Sequence, residues 1–233
     1  MAHIVKSQTR RRRKRGEPGR TRGSAISDLT AQRLSIYLRC LDELRRAGVE
    51  TVSSQALARQ FQLHPAQIRK DLACFGEFGV RGVGYVVADL RRNLVRILGL
   101  NRDRKVIIVG AGNLGRALAD YGGFNQEGFS VAGLFDSDAR KIGRATRGGV
   151  PVRAMRSLPA LVRRMRVGLA VLAVPATAAQ KVFDQVVEAG VRAVLNFAPA
   201  RLRGRRGVII KAVDLKIQLE NLVFHLIRSR GAV

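Results

Sequence analysis

Apolar residues recur every three or four positions between residues 27 and 75, which is the spacing of helices that bury one face. A first run begins near Ser27 and Thr30, the two candidate N-caps, and stops at Gly48. A second, shorter run follows Ser53 and Ser54, one of which is predicted to cap it. A third begins at Pro65, whose missing N–H costs nothing in a first helical turn. Two short helices joined by a tight turn predict a helix-turn-helix.

Glycines divide the next stretch into short runs that end in Tyr85, Val86 and Val87. This pattern predicts a small hairpin, and a hairpin directly after a helix-turn-helix is a wing. Apolar positions on one face of residues 89–100 then predict a further helix, and residues 101–104 are predicted to be a linker. Residues 24–100 are therefore predicted to form a winged-helix domain.

Beyond residue 104, short apolar runs alternate with helical ones. The predicted segments are 106–109, 114–119, 131–135, 167–174, 182–189, 191–197 and 208–213. Such alternation predicts an α/β fold, in which helices cover both faces of a parallel sheet. A last run, residues 215–227, is apolar over a wide stripe, so its helix needs its own domain or a second subunit to pack against.

Composition narrows the class of protein. The 233 residues are 46% hydrophobic, enough for two ordinary domains, and no apolar stretch approaches the roughly 20 residues that span a bilayer. We therefore expect a soluble, cytoplasmic protein. Cys40 and Cys74 fall within helical patterns without metal-ligand spacing, so neither a disulfide framework nor a metal site is predicted.

The formal net charge of +26 indicates a polyanionic partner, because lysine and arginine that neutralise phosphates release counterions. Residues 1–23 hold nine basic residues and one acidic residue, residues 24–100 hold 11 and seven, and residues 101–233 hold 23 and nine. The predicted winged helix is thus the least charged part of the chain. Residues 1–23 lack apolar periodicity and are predicted to be a disordered basic arm, which either contacts phosphates or is simply solvated.

A glycine fingerprint, Gly-x-Gly-x-x-Gly, lies between the first predicted strand of the sheet and a helical run. In that context the first glycine permits a tight turn, the second lets a pyrophosphate approach the backbone, and the third allows close packing of helix on strand. The motif predicts a dinucleotide site. The residues of this predicted loop are Gly110, Ala111, Gly112, Asn113, Leu114 and Gly115.

Asp136 ends the next predicted strand, 21 residues after Gly115. A carboxylate at that position accepts hydrogen bonds from the adenosine ribose and repels a 2′-phosphate. NAD(H) is therefore favoured over NADP(H), with Asp138 as a weaker candidate for the same role; the alternative is a strand-end aspartate that only stabilises a turn.

The third helix of the winged helix carries Gln67, Arg69 and Lys70. These side chains are candidates for contacts to bases and phosphates, since the second helix of a helix-turn-helix lies in the major groove. A solvated helix face is the alternative, because exposed helices commonly carry such residues.

These residues together resemble the Rex family of redox-sensing repressors, from about Ser27 to Ile227. The resemblance is carried by ordered strings at residues 33–39, 67–72, 75–79, 81–85, 110–115, 119–121, 135–136, 174–176, 196–199 and 213–215.

The resemblance implies NADH and NAD as ligands and palindromic operator DNA as partner, with release from the DNA when NADH binds. It also implies a Rossmann domain at residues 101–213, followed by a C-terminal helix within residues 214–233. In the implied homodimer, this helix is swapped between the two subunits. By position, the resemblance assigns further residues to the nucleotide site: Val174, Pro175, Asn196, Phe197 and Ala198. It likewise assigns Arg81, Gly84 and Tyr85 to DNA binding. It further implies that the two domains are coupled through Arg39 and Tyr121 of one subunit and Asp214 of the partner subunit, on the swapped helix.

Two other functions remain open from the residues themselves. An NAD-dependent dehydrogenase would use the same nucleotide site, but no histidine or lysine stands in a recognisable catalytic constellation, so no enzyme activity is predicted. A nucleotide- or CoA-binding module fused to a protein-interaction domain would explain the sheet without operator DNA.

Overall fold

The computed structural model describes residues 26–80, 82–124 and 128–230. The chain divides into two compact units, of which one ends at Val87 and the other begins at Ala88. That division falls earlier than the predicted domain boundary at residue 100, which stays a prediction. None of the helices in the described part of the chain is long and apolar enough to cross a membrane.

The first unit begins with helix α1, Asp28–Arg46. Of the two candidate N-caps, Ser27 is the one used: its hydroxyl accepts a hydrogen bond from the Thr30 N–H at 3.1 Å. The helix ends before Gly48, which has a positive φ of 75° that favours glycine. Its buried face consists of Leu34, Tyr37, Leu38, Cys40, Leu41 and Leu44.

Two short helices follow and confirm the helix-turn-helix. Helix α2, Ser54–Phe61, is capped by the Ser53 hydroxyl, which accepts from the Ala56 N–H at 3.0 Å. The turn after it passes through Gln62 in a left-handed conformation. Helix α3, Pro65–Ala73, begins at the proline and is the predicted DNA-reading helix.

The wing is smaller than the predicted hairpin. Its strand β2, Tyr85–Val86, pairs antiparallel with β1, Thr51–Val52, a two-residue strand that the apolar pattern does not reveal. A tight turn precedes β2, in which Val80 and Gly84 exchange both backbone hydrogen bonds at 2.9 Å. Residue 87 does not continue the hairpin, because helix α4, Val87–Ile97, begins there.

The second unit contains a six-stranded parallel sheet and confirms the α/β prediction. The strands are β3 Arg104–Val109, β4 Phe129–Asp136, β5 Val152–Ala154, β6 Leu169–Leu172, β7 Ala193–Asn196 and β8 Ile209–Ala212. Their order in the sheet is β5-β4-β3-β6-β7-β8. This is the order of a Rossmann sheet, in which the chain starts in the middle, builds one half and then the other. The three-residue strand β5 was not predicted.

Three helices pack on this sheet: α5 Asn113–Ala119, α6 Leu158–Met165 and α7 Ala176–Glu188. Helix α6 was not predicted, and α7 begins six residues before its predicted start, because its first turn is made of small residues that give no apolar signal. The largest core cluster joins Leu161, Phe183 and Val186 of these helices to one face of the sheet. The other face carries an apolar groove of about 280 Å³ along β6, β7 and β8.

The last helix, α8, spans Leu215–Arg230. Its large apolar side chains are each between 51% and 65% exposed, from Leu215 to Ile227. The wide apolar stripe predicted from the sequence is therefore present and is not covered by the helix's own domain.

Candidate functional site

The predicted nucleotide-binding residues meet at one edge of the sheet. Gly110 directly follows β3, Asp136 ends β4, Val174 lies just beyond β6, and Asn196 ends β7. Carboxyl ends of parallel strands lie at the same edge, and ligands of such sheets bind where the strand order reverses. Here the order reverses between β3 and β6.

The glycine loop has no room for side chains on its inner side. A Cβ on Gly110 would lie 2.3 Å from the Ala173 carbonyl oxygen, and one on Gly115 would lie 1.7 Å from the Gly110 carbonyl oxygen. Around Gly112, by contrast, a Cβ would meet nothing within 4 Å. The close contacts shape the turn, and the open space at Gly112 fits the predicted approach of a pyrophosphate to the backbone.

The Asp136 carboxylate holds this loop in place. One oxygen accepts from the Ala111 N–H at 2.7 Å, and the other accepts from the Asp138 N–H at 2.8 Å. Burial acts to raise the pKa of Asp136, which is 9% exposed, but the hydrogen bonds from Asp138, Ala111 and Lys141 outweigh it, so the pKa lies below the usual range. The side chain is therefore a carboxylate, as recognition of a ribose requires.

Lys141 is a residue of this site that the sequence reasoning missed. Its Nζ donates to Asp136 Oδ2 at 3.1 Å, and the two side chains are 34% and 10% exposed. Next to it, the exposed Arg140 pairs with Asp138 at 2.9 Å and lowers the pKa of that carboxyl to about 2. Because a lysine five residues after a strand-end aspartate is unremarkable in a surface turn, only the fold shows that the two meet.

The remaining predicted nucleotide residues lie on the loops after β6 and β7. Val174 is half-buried, and the exposed Pro175 is the N-cap residue of α7. Asn196 is 1% exposed; its Nδ2 donates to the carbonyls of Ala198 and Ala200, and its Oδ1 accepts from the Ala198 N–H. The Asn196 side chain therefore shapes the loop that carries the half-buried Phe197, and direct contact with a nucleotide stays a prediction.

In the first unit, a buried carboxylate joins α1 to α3. Asp71 is 2% exposed and accepts from Arg33 Nε at 2.5 Å, from Arg33 Nη2 at 2.8 Å and from the Tyr37 hydroxyl at 2.9 Å. It also accepts from Gln67 Nε2 at 2.8 Å. The hydrogen bond from Arg33 is the main reason why the pKa of Asp71 is lowered. The sequence reasoning assigned Asp71 no role.

The other predicted DNA-binding residues differ in their exposure and in the contacts they make within the protein. On α3, Arg69 donates to the Ser54 hydroxyl at 2.9 Å, while Lys70 is exposed. Gly84 has a φ of 104° and packs against β1, where a Cβ would lie 2.6 Å from the Val52 carbonyl oxygen. Tyr85 is 8% exposed, and burial raises its pKa. Tyr85 thus belongs mainly to the packing of the wing, and its contact with DNA stays a prediction.

Arg81 and the basic arm at residues 1–23 lie outside the described residues. All the other predicted DNA-binding and nucleotide-binding residues lie within the described part of the chain.

The three predicted coupling residues are all exposed. Arg39 lies on the solvent side of α1, and Tyr121, just after α5, is 58% exposed with its ring beside Gly123. Asp214 Oδ1 accepts from the Lys216 N–H at 2.9 Å and so caps the first turn of α8. Within residues 26–80, 82–124 and 128–230, no three His, Cys, Asp or Glu side chains form a group that could hold a metal ion.

A winged helix and a Rossmann sheet on one chain are the architecture of transcription regulators that respond to a nucleotide. Comparisons with known proteins agree for both units. Residues 25–73 match the family model described as putative DNA-binding protein N-terminus, and residues 101–200 match the one described as CoA binding domain.

Curated relatives identify the family. The redox-sensing transcriptional repressor Rex of Pelotomaculum thermopropionicum is 45% identical over 88% of this chain and 96% of its own length. Rex of Carboxydothermus hydrogenoformans is 45% identical over 89% of this chain and 100% of its own length. The chain belongs to the Rex family of redox-sensing transcriptional repressors.

Solved structures agree with this identification. RSP, a Rex-family repressor, matches with a TM-score of 0.80 at 35% identity, over 89% of this chain and 96% of that one. RSP in complex with β-NAD⁺ and operator DNA matches with a TM-score of 0.83 at 36% identity, over 89% of this chain and 95% of that one.

Proposed function

We propose that this chain represses transcription by binding palindromic operator DNA, and that NADH binding releases it. The observation that carries the proposal is the presence, on a chain 45% identical to Rex repressors, of both a helix-turn-helix and a glycine loop with a strand-end carboxylate. Structures of RSP with β-NADH and with β-NAD⁺ and operator DNA support the same ligands here.

The nucleotide would be NAD(H) held at the carboxyl edge of the sheet. Residues 110–115 would contact the pyrophosphate, Asp136 the adenosine ribose, and the loops at 174–175 and 196–198 the nicotinamide half. CoA, suggested by the family model for residues 101–200, carries a phosphate on its adenosine ribose. The buried Asp136 carboxylate would repel that phosphate, so the geometry favours NAD(H).

A palindromic operator requires two copies of α3, one for each half-site. Helix α8 supports a homodimer, because a helix whose large apolar side chains are 51–65% exposed needs a partner surface. The apolar groove along β6, β7 and β8 is a second uncovered surface that a partner subunit would bury. We further propose that the C-terminal helix, within residues 214–233, is swapped between the two subunits and that the protein acts in the cytoplasm.

Release on NADH binding requires that the two units communicate. In the proposal, Asp214 of the partner subunit, on the swapped helix, exchanges between Arg39 and the Tyr121 hydroxyl when the state of the nucleotide site changes. Such an exchange of partners is a two-state switch. Because Asp214 also caps α8, replacing it by serine keeps the cap but removes the charge.

Electrophoretic mobility shifts test the proposal. The full chain is incubated with a palindromic, AT-rich duplex and titrated with NADH or with NAD⁺. Sequence-specific binding that NADH abolishes and NAD⁺ preserves is the expected result, and Asp214→Ser should bind the same duplex but respond more weakly to NADH. Absence of sequence-specific binding would favour a nucleotide-binding module with another partner, and reduction of a substrate would favour a dehydrogenase.

A further inference from the structure

The carboxylate of Asp71 fixes the side chain of Gln67 on the DNA-reading helix. Asp71 is 2% exposed and receives hydrogen bonds from Arg33, Tyr37 and Gln67, with Gln67 Nε2 at 2.8 Å from Asp71 Oδ1. Its pKa is lowered by these donors, so it is ionised and can only accept hydrogen bonds. The group of Gln67 that faces Asp71 must therefore be the amide NH₂.

The orientation of the amide decides what Gln67 shows to its surroundings. With the NH₂ directed at Asp71, the carbonyl oxygen Oε1 is the end that remains for another partner. None of the described residues donates a hydrogen bond to this oxygen. Among those residues Arg153 Nε is the one fully buried side-chain nitrogen or oxygen without a partner, so Gln67 Oε1 is not fully buried.

Gln67 lies where a DNA-reading helix contacts bases. It is the third residue of α3, Pro65–Ala73, and half-buried beside the exposed Lys70. The first turn of such a helix is the part that reaches base edges in the major groove. In that groove the exocyclic amino groups of adenine and cytosine are donors, whereas guanine and thymine present only acceptors or a methyl group.

We propose that Gln67 reads one base of each operator half-site by accepting a hydrogen bond from an exocyclic amino group, of adenine or of cytosine, and that Asp71 is the positioning residue that keeps its carbonyl outward. The assignment rests on the proposed operator binding and adds the chemistry of the base that is read. It also gives the buried carboxylate that joins α3 to α1 a second role: the Asp71 carboxylate holds α3 in place and orients the Gln67 side chain.

The test uses an operator duplex selected by the wild-type chain from a randomised pool. In each half-site, adenines are replaced one at a time by purine, which lacks the 6-amino group, and cytosines by 2-pyrimidinone, which lacks the 4-amino group. Affinities are then compared for the wild type and for Gln67→Met, in which a side chain of similar length has only a weakly accepting sulfur. Lys70→Met, on the same helix, is the matched control.

At one position of the half-site, loss of the amino group should weaken wild-type binding by about fivefold to tenfold, as expected for one net hydrogen bond. The same analogue should not weaken the binding of Gln67→Met further. If purine is the analogue with this effect, the base that is read is adenine; if 2-pyrimidinone is, the base is cytosine. For Lys70→Met, affinity should fall on all duplexes alike, because a phosphate contact is not specific to sequence.

Asp71→Asn tests the positioning role. An asparagine can donate as well as accept, so the Gln67 amide can turn over, and the preference for an amino group at that position should be lost. Gln67→Met leaves Asp71 with Arg33 and Tyr37, so the base-reading part of the assignment does not depend on the folding of Asp71→Asn.

Three outcomes would overturn the assignment. Equal loss of affinity on every duplex would make Gln67 a phosphate contact, and no loss would give it no role in binding. Tighter binding of the wild-type chain, but not of Gln67→Met, to a base that carries only acceptors at that position would reverse the proposed orientation. Failure of the wild-type chain to select any duplex would instead remove the proposed function itself.

Discussion

Asp71 and Asp136 are both buried carboxylates at the candidate sites, but the two units satisfy them by different means. Asp71 is bound by side chains from two helices, Arg33 and Tyr37 on α1 and Gln67 on α3. Asp136 is bound mainly by backbone N–H groups of its own sheet edge, with Lys141 as the single side-chain donor found in the described residues. The DNA-reading unit thus depends on a network of side chains, and the nucleotide unit on the shape of its backbone.

This difference sets how each unit should respond to substitution. A site formed by backbone is sensitive to added volume and insensitive to most changes of side chain. A site formed by a side-chain network is sensitive to loss of one charged member, because the others are left buried without a partner. Three substitutions, two of them with a matched control, test the contrast.

The largest effect is expected from Gly115→Ala. Its new Cβ would lie 1.7 Å from the Gly110 carbonyl oxygen, so the glycine loop and α5 must separate, at a cost of about 3 kcal/mol. A clear drop in the melting temperature, together with loss of NADH binding followed by nucleotide fluorescence, is the expected result.

Gly112→Ala is the control for this change. A Cβ there meets nothing within 4 Å, and the φ of −77° suits alanine, so stability should be unchanged. NADH affinity should nevertheless fall more than about tenfold, because the methyl group occupies the space assigned to the pyrophosphate. Wild-type NADH affinity in Gly112→Ala would show that the nucleotide does not use this space.

An intermediate effect is expected from Asp71→Asn. Since the Arg33 side chain is 30% exposed and can partly return to water, the loss at neutral pH should be about 2 kcal/mol, below the range for a fully buried pair. The folded pKa of Asp71 is lowered, so its contribution is complete above the unfolded value of about 3.9 and disappears as the pH falls through the lower folded value.

Hydrogen exchange of the α1 and α3 amides measures this contribution. The wild type should lose protection at acid pH, and the difference between wild type and Asp71→Asn should shrink there. Asp136 and Asp138 titrate in both proteins, so they do not affect the difference. A difference that stays constant with pH would mean that the charge of Asp71 contributes nothing to holding α3.

The smallest effect is expected from Lys141→Met. Without the ammonium group, Asp136 keeps its backbone bonds but carries an unbalanced negative charge beside the ribose position. NADPH affinity should fall about fivefold, while NADH affinity should change less than about twofold, because only the former brings a phosphate to this place. Calorimetric titration of both nucleotides measures the two affinities.

Arg140→Met serves as the comparison for Lys141. Arg140 is 88% exposed and pairs with Asp138, so its removal should change the NADPH affinity less than the removal of Lys141 does. If the two variants affect NADPH equally, the net charge of the turn, and not the contact with Asp136, determines selectivity.

The sequence alone determined the features that depend on neighbouring residues. Ser27 and Ser53 cap their helices, Pro65 begins α3, and the glycine loop has its predicted place after β3, because caps, turns and amphipathic faces act over a few positions. The family resemblance, confirmed by relatives at 45% identity, rests on strings of the same kind.

Only the tertiary structure decided which distant residues meet. Arg33 and Asp71 are 38 positions apart, and no periodicity indicates that they pair, or that this pairing orients Gln67. The strands β1 and β5, of two and three residues, are too short to show a pattern and exist because a neighbouring strand supplies their hydrogen bonds. A pattern shows that a residue is buried or exposed, whereas the partner of a buried charge is set by how the elements pack.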